Sequence, residues 1–318
     1  MVQLKFLTLD VFTTKPFQGN PLAVVFLPTD PQQALTQRQK HLLTIEFNLS
    51  ETIFVHPVTQ PTASHRTIDI FTVECEIPFA GHPTIGAASW FLHHSPDSPD
   101  HPVTSLITKS GEIPITLQDP HSGIVAAKIA HHTRIHSQRF PLAELVALHP
   151  TVQPYMSQTT GDFPLFSIVN GMSQVFVELP SLEALAAVTR ATSSDLISTE
   201  QYLDAGWHNG MICVYFYVRG VQDEKTGETV IRTRMMLSGI EDPATGSAAS
   251  GLAAYLALTG ESSSEQREIR HHFVQGVEMG RRSDIGVNVK MEGQVIQQVE
   301  LTGTAVRVSE GMIAVPEE

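Results

Sequence analysis

Cysteine is scarce in this chain: Cys75 and Cys213 are the only two among 318 residues. Two are too few for a disulfide framework, and the expectation is a pair of buried thiols in a reducing cytoplasm. Positive charge is also short. Twenty Lys and Arg stand against 33 Asp and Glu, a formal charge of −13 at pH 7, with an isoelectric point near 5.5. No basic cluster stands out, which argues against nucleic acid and anionic membrane surfaces as partners. No apolar run approaches the roughly 18–20 residues of a membrane span. The opening "VQLKFLTLDVF" alternates like a strand and lacks the features of a secretory signal, so a cytoplasmic location is expected. Also missing are a G-x-S-x-G elbow, H-E-x-x-H or C-x-x-C spacings, a lysine-bearing phosphate loop and a G-x-G-x-x-G fingerprint. The 15 histidines include adjacent pairs at 93–94, 131–132 and 271–272. Neighbours on a strand or helix point apart, so these pairs make poor chelates and no metal site is expected.

What is present is a 42% hydrophobic chain, long enough for two cores. Alternating apolar positions predict strands at 5–13, 22–27, 51–55 and 66–73. The Gly-, Asn- and Pro-rich "KPFQGNP" reads as the turn between the first two. An amphipathic helix is predicted over 31–47 with Leu35, Leu42 and Ile45 toward the core, ended by Asn48 and Leu49. Glu51 then stands at a helix-to-strand corner. "HSPDSPDHP" (94–102) reads as a surface loop, and 105–118 as a hairpin turning at Ser110-Gly111. Past a weak boundary between Asp119 and Gln138, strands are expected at 165–169, 174–179, 211–218 and 230–237, with helical pieces near 181–203. A helix at 247–259 and three tail strands follow.

Two segments resemble each other. "EIPFAGHPTIGAASW" (76–90) and "EDPATGSAASGLAAYLAL" (241–258) both run through a Gly-rich turn into a small-residue helix. Gly81 and Gly246 lie 246 − 81 = 165 residues apart, about half the chain, as a duplicated domain would place them. Such a turn leaves helix N–H groups facing outward with the positive end of the helix dipole behind them. It can hold a carboxylate or phosphate without a basic side chain, so a small anionic ligand suits a strongly acidic protein. His82, Asp242 and Ser247 sit on the two turns. A carboxylate in a dry cleft can serve as base and then acid, which makes Glu51 a candidate. Plainer roles stay open: Glu51 as a turn cap, Asp242 as a turn starter before proline, Ser247 as a helix N-cap.

Four stretches in order, "DVFTTKPFQGNPLAVV", "NLSETIFV", "EIPFAGHPTIGAA" and "GIEDPATGSAASGL", resemble the PhzF family, named for a phenazine-biosynthesis isomerase. The resemblance implies an α/β (α+β) diaminopimelate epimerase-like fold. Two pseudo-symmetric domains would each wrap a sheet around a central helix, with the active site in the interdomain cleft. The expected division is 1–125, completed by a C-terminal strand at about 300–318, and 126–299. The related epimerases carry two acid/base cysteines where this sequence has Gly81 and the Ala244-Thr245-Gly246 turn. The resemblance makes Glu51 the general acid/base, with His82 and Asp242 holding and polarising the substrate. Asn20, Gly81, Gly246 and Ser247 would complete the pocket. It further implies an isomerase that shifts a proton within a small, carboxylate-bearing, dihydro-hydroxyanthranilate-like substrate, with no metal or organic cofactor, as a homodimer. An amino-acid epimerase, or a non-catalytic ligand-binding protein on the same fold, are the alternatives. Val73 stands where the family often has proline.

Overall fold

The computed structural model describes residues 2–58, 60, 62–94, 102–156, 161–260 and 266–317. Most of the 94–102 stretch read as a surface loop lies outside them. The chain divides into two compact units, Met1–Lys128 with Leu301–Glu318, and Ile129–Glu300.

In the first unit β1 (Gln3–Val11) pairs antiparallel with β2 (Asn20–Phe26) and with the C-terminal strand Ala305–Ala314. α1 (Gln37–Phe47) carries the chain from β2 to its parallel neighbour β3 (Thr52–Val55). β4 (His65–Phe71) runs antiparallel to β3 and bears the short β5 (Glu76–Ile77) on its end. α2 (Gly81–Ser89) follows, continued by a π-helical turn at Trp90–His94. The sheet then goes on through β6 (Ser105–Thr108), parallel to β4, and the antiparallel β7 (Gly111–Asp119) and β8 (Ile124–Ile129). The β6–β7 turn is Lys109-Ser110, one residue earlier than expected. Gly111 takes φ 105 as the first residue of β7.

The second unit opens with β9 (Arg134–Phe140) and α3 (Leu142–Leu148) and then repeats the same scheme. β10 (Phe163–Val169) is antiparallel to β11 (Gly171–Glu178). The helical turns α4 (Leu182–Ala187) and α5 (Thr199–Tyr202) lead to β12 (Gly210–Gln222), parallel to β11. β13 (Thr229–Leu237) is antiparallel to β12 and carries the stub β14 (Ile240–Asp242). α6 (Gly246–Thr259) precedes β15 (Gln266–Gln275), parallel to β13, and β16 (Ser283–Glu292), antiparallel to β15. Finally β17 (Val295–Gly303) takes the chain back to the first unit. Both units therefore read antiparallel, parallel, antiparallel, parallel, antiparallel, with a stub strand leading into the helix. The duplication suggested by the two Gly-rich turns is a duplication of topology.

The helix of each unit is held by close approach to strands. All nine residues of α2 are buried, and it packs on β1, β2, β7 and the C-terminal strand. α6 packs on β10, β11, β15 and β16. Only small residues allow a helix to sink so far into a sheet. A Cβ on Gly86 would lie 2.4 Å from Leu22 Cδ2, and one on Gly251 would lie 2.6 Å from Gln174 Oε1. Both glycines are the sixth residue of their helix, and 251 − 86 = 165 repeats the interval between Gly81 and Gly246.

Some expectations need correction. α1 starts at Gln37 because Thr36 closes a capping box with Gln39, which leaves Leu35 outside the helix. Its buried residues are Lys40, Leu43 and Thr44, and Ile45 is 46% exposed. Lys40 is drawn inward by Asp69, Nζ to Oδ2 2.6 Å. Cys213 is buried as expected, but Cys75 lies exposed at the foot of the β4–β5 turn. β8, β9, β14 and β15 had no counterpart in the sequence reading.

β14 is anchored by an ion pair. Arg234 of β13, 6% exposed, places Nε 2.7 Å and Nη2 2.8 Å from the two carboxylate oxygens of Glu241. Its Nη1 donates to the Leu185 and Val188 carbonyls at the end of α4, at 3.0 and 2.6 Å. Replacing this residue strands a buried carboxylate and two carbonyls together. Arg234→Met should therefore lower stability by about 3–5 kcal/mol in urea unfolding monitored by far-UV circular dichroism.

Candidate active site

α1 ends in a left-handed residue, Asn48 at φ 48, which turns the chain sharply back toward the sheet. Leu49 and Ser50 complete the turn. Glu51 is the last residue before β3, whose first residue Thr52 pairs with Ala23 on one side and Phe71 on the other. The carboxylate is thus carried on a corner fixed by a helix cap and two ladders. Its side chain is 17% exposed.

Two other residues singled out by the sequence meet it. His82, in the first turn of α2, brings Nδ1 to 3.5 Å from Glu51 Oε2. Asn20, at the start of β2, brings Nδ2 to 3.4 Å from the same ring nitrogen, and its Oδ1 accepts from Ser50 Oγ at 3.4 Å. Both Asn20 and His82 are buried, at 1% and 3% exposure. Ser50 lies in the "NLSETIFV" stretch beside Glu51 but was not singled out from the sequence.

Burial dominates the electrostatics here. It raises the Glu51 carboxyl from 4.5 to about 7; the Ser50 hydroxyl opposes the shift and the charge of Glu74 adds to it. Gly81 begins α2 after Ala80, with no side-chain cap on the helix.

The remaining three expected residues lie together in the second unit. Asp242 ends β14, and its Oδ2 accepts from Thr245 Oγ1 at 2.5 Å. Thr245 is the N-cap residue of α6, but with its hydroxyl given to Asp242 it makes no side-chain cap. Gly246 and Ser247 are the first and second helical residues, so Ser247 is not the N-cap. Gln275, on the unanticipated β15, clamps this turn: its Nε2 donates to Asp242 O at 2.8 Å and Thr245 Oγ1 at 3.1 Å, while Oε1 accepts from Tyr215 OH at 3.1 Å.

The repeated topology identifies matching positions. Phe71 of β4 faces Glu76 of β5 and Thr52 of β3; Met236 of β13 faces Glu241 of β14 and Val214 of β12. Cys213, before Val214, is therefore the counterpart of Glu51. Burial, with the charge of Asp242 adding to it, pushes its thiol up to about 12, so it stays protonated at neutral pH. Among the described residues no cluster of three His, Cys, Asp or Glu could hold a metal ion, and no helix is long and apolar enough to cross a membrane.

Comparison with known proteins places this arrangement among relatives. A trans-2,3-dihydro-3-hydroxyanthranilate isomerase of Pseudomonas chlororaphis is 31% identical over 317 residues, covering 97% of this chain and 98% of its own. A PhzF-family phenazine biosynthesis protein of Bacillus anthracis superposes with a TM-score of 0.74 at 21% identity, covering 99% of this chain and all of that one. A probable proline racemase of Agrobacterium radiobacter shares the fold at TM-score 0.60 and 13% identity, covering 98% of this chain and 93% of that one. The architecture is the diaminopimelate epimerase-like α/β fold, and the named relatives and neighbours, isomerases and epimerases or racemases, are consistent with an isomerase. Residues 9–311 match the phenazine biosynthesis-like family profile, and the chain belongs to that family, PhzC-PhzF.

Proposed function

We propose that this protein is an isomerase that moves a proton within a small, conjugated, carboxylate-bearing substrate of the dihydro-hydroxyanthranilate type, with Glu51 as the acid/base. The observation that carries this reading is the buried Glu51 carboxyl, held near 7 beside His82. A group with that affinity is ionised often enough to accept a proton and protonated often enough to return it. The reaction moves one proton from carbon to carboxylate and back to another carbon. The electron pair left behind is carried by the substrate's own conjugated system, so no electrons enter or leave. His82 would polarise the substrate, and Asn20, 3.4 Å from its Nδ1, would hold the ring in place. Gly81 would offer its backbone amide. The same proposal gives Asp242, Gly246 and Ser247 a part in holding the substrate, on the strength of the sequence motif they share.

Glu51→Gln should lower turnover of trans-2,3-dihydro-3-hydroxyanthranilate ~10²–10⁴-fold and abolish deuterium incorporation from D2O. Exchange that persists in this variant would remove the role given to Glu51. In the unmodified enzyme kcat/KM should rise with pH through about 7, as Glu51 loses its proton.

Stability should report the same group without any substrate. The folded-state value lies above the ordinary 4.5, so the neutral acid contributes fully below about 4.5 and its contribution is lost as pH rises through about 7. Glu51→Gln should therefore match the parent near pH 4.5 and exceed it at pH 8 by up to about 3 kcal/mol in chemical denaturation. Asp242→Asn should raise KM for the same substrate about tenfold or more while leaving the pH midpoint in place; an unchanged KM would take Asp242 out of the proposal.

A further inference from the structure

Gln275 ends β15 fully buried, as are Tyr215 of β12 and Thr233 of β13 beside it. Its amide is engaged at both ends. Nε2 donates to Asp242 O at 2.8 Å and to Thr245 Oγ1 at 3.1 Å. Oε1 accepts from Thr245 N at 3.3 Å and from Tyr215 OH at 3.1 Å, and that hydroxyl lies 3.0 Å from Thr233 Oγ1. A backbone carbonyl only accepts and a backbone N–H only donates, so the Asp242 O and Thr245 N contacts fix which end of the amide is which. Thr245 Oγ1 therefore accepts from Gln275 and directs its own hydrogen to Asp242 Oδ2. A continuous chain of hydrogen bonds runs from β12 through β15 to the carboxylate.

The first unit does without this chain. With Thr52 matched to Val214 and Phe71 to Met236, Tyr215 corresponds to Ile53, Thr233 to Ile68 and Asp242 to Ile77. Leu106 pairs with Arg66 where Phe273 pairs with Ile231, which matches Gln275 to Thr108, and the N-cap residue Thr245 matches Ala80. Thr108 turns its hydroxyl onto its own hairpin: Oγ1 lies 2.8 Å from Ser110 Oγ and accepts from Ser110 N at 3.2 Å. The same topology thus closes with three isoleucines and an alanine where the second unit has a tyrosine, two threonines and an aspartate. Burying polar groups costs more than burying apolar ones of similar size, so the fold alone does not ask for the network. It is built only where a carboxylate stands at its end.

We propose that Thr245 and Gln275 are positioning residues for Asp242, a relay that holds its carboxylate in one orientation as a hydrogen-bond acceptor for the substrate. The use of that carboxylate rests on the substrate-holding role given to Asp242 above; the relay itself does not. Thr245 acts directly on Oδ2. Gln275 acts one step behind, by taking the acceptor side of the Thr245 hydroxyl and tying the Asp242 carbonyl.

The carboxyl carbon of Asp242 reports the relay in the full-length protein without substrate. Labelled aspartate is followed by carbon NMR across pH, with Asp242→Asn assigning the resonance. A hydrogen bond to the ionised form favours that form, so Thr245→Ala, which copies Ala80, should raise the Asp242 midpoint by about one pH unit. Thr245→Ser keeps the hydroxyl and should restore the parent value, and Gln275→Met should raise it by about half a unit. Thr245→Ala carries the test even if Gln275→Met does not fold, because the first unit starts its helix with alanine at that position. An unchanged midpoint in Thr245→Ala, or one raised equally in Thr245→Ser, overturns the relay. Kinetics with trans-2,3-dihydro-3-hydroxyanthranilate report its use. Thr245→Ala should raise KM about fivefold with kcat within about twofold, the loss of one hydrogen bond, and should add nothing in an Asp242→Ala background. An additive rise in that background overturns the proposal. A moved midpoint with an unmoved KM in Asp242→Ala would instead sink the substrate-holding role given to Asp242 and leave the relay standing.

Discussion

A carboxyl group taken out of water without a cationic partner is costly in its charged form, and the first unit is arranged around that cost. Glu51 is held on a corner that gives it no choice of position, because α1 caps on one side and β3 pairs on both edges immediately after it. Its neighbours, the His82 imidazole and the hydroxyl and amide beside it, are polar without bringing a lysine or arginine. The desolvation is therefore left uncompensated, and the group settles at an affinity useful at neutral pH. A lysine at this corner would stabilise the fold and hold the carboxyl ionised. On the proposed reading, the stability forgone is what would let the group trade protons.

A helix sits deep within each sheet. In α2 and α6 the glycines at the sixth position allow strands to approach the helix backbone, and alanines supply further small positions. The uncapped helix starts follow from the same arrangement. A helix that begins inside the fold has little room for a capping side chain at its first turn, and in α6 the one hydroxyl available, on Thr245, is turned toward Asp242. Packing and site chemistry thus depend on the same small residues.

Much of this was legible in the amino-acid order. Gly-rich turns followed by small-residue runs announced both helices, and their 165-residue interval announced the duplication. Asn48 and the alternating strand after it placed Glu51 at its corner. The illegible parts share a cause. β15 reads "QREIRHHFVQ", so charged and imidazole side chains hide its alternation, and Gln275, which clamps the Asp242 turn, sits at its end. α1 misled because a buried lysine answering Asp69 looks, in sequence, like a solvent-facing residue. Ser50 meets Asn20 only through the fold, a contact that the linear order does not announce.

The matching corners of the two units carry unlike groups, a carboxyl near neutrality at Glu51 and a thiol pushed up to about 12 at Cys213. For a flat substrate handled as proposed, that inequality has a stereochemical meaning. A single working base takes a proton from one face of the ring and has only that face to return it to. Only one of the two matching corners carries a carboxyl, so the proton would be confined to one face. The handedness of the product would then be decided by which copy kept the carboxyl.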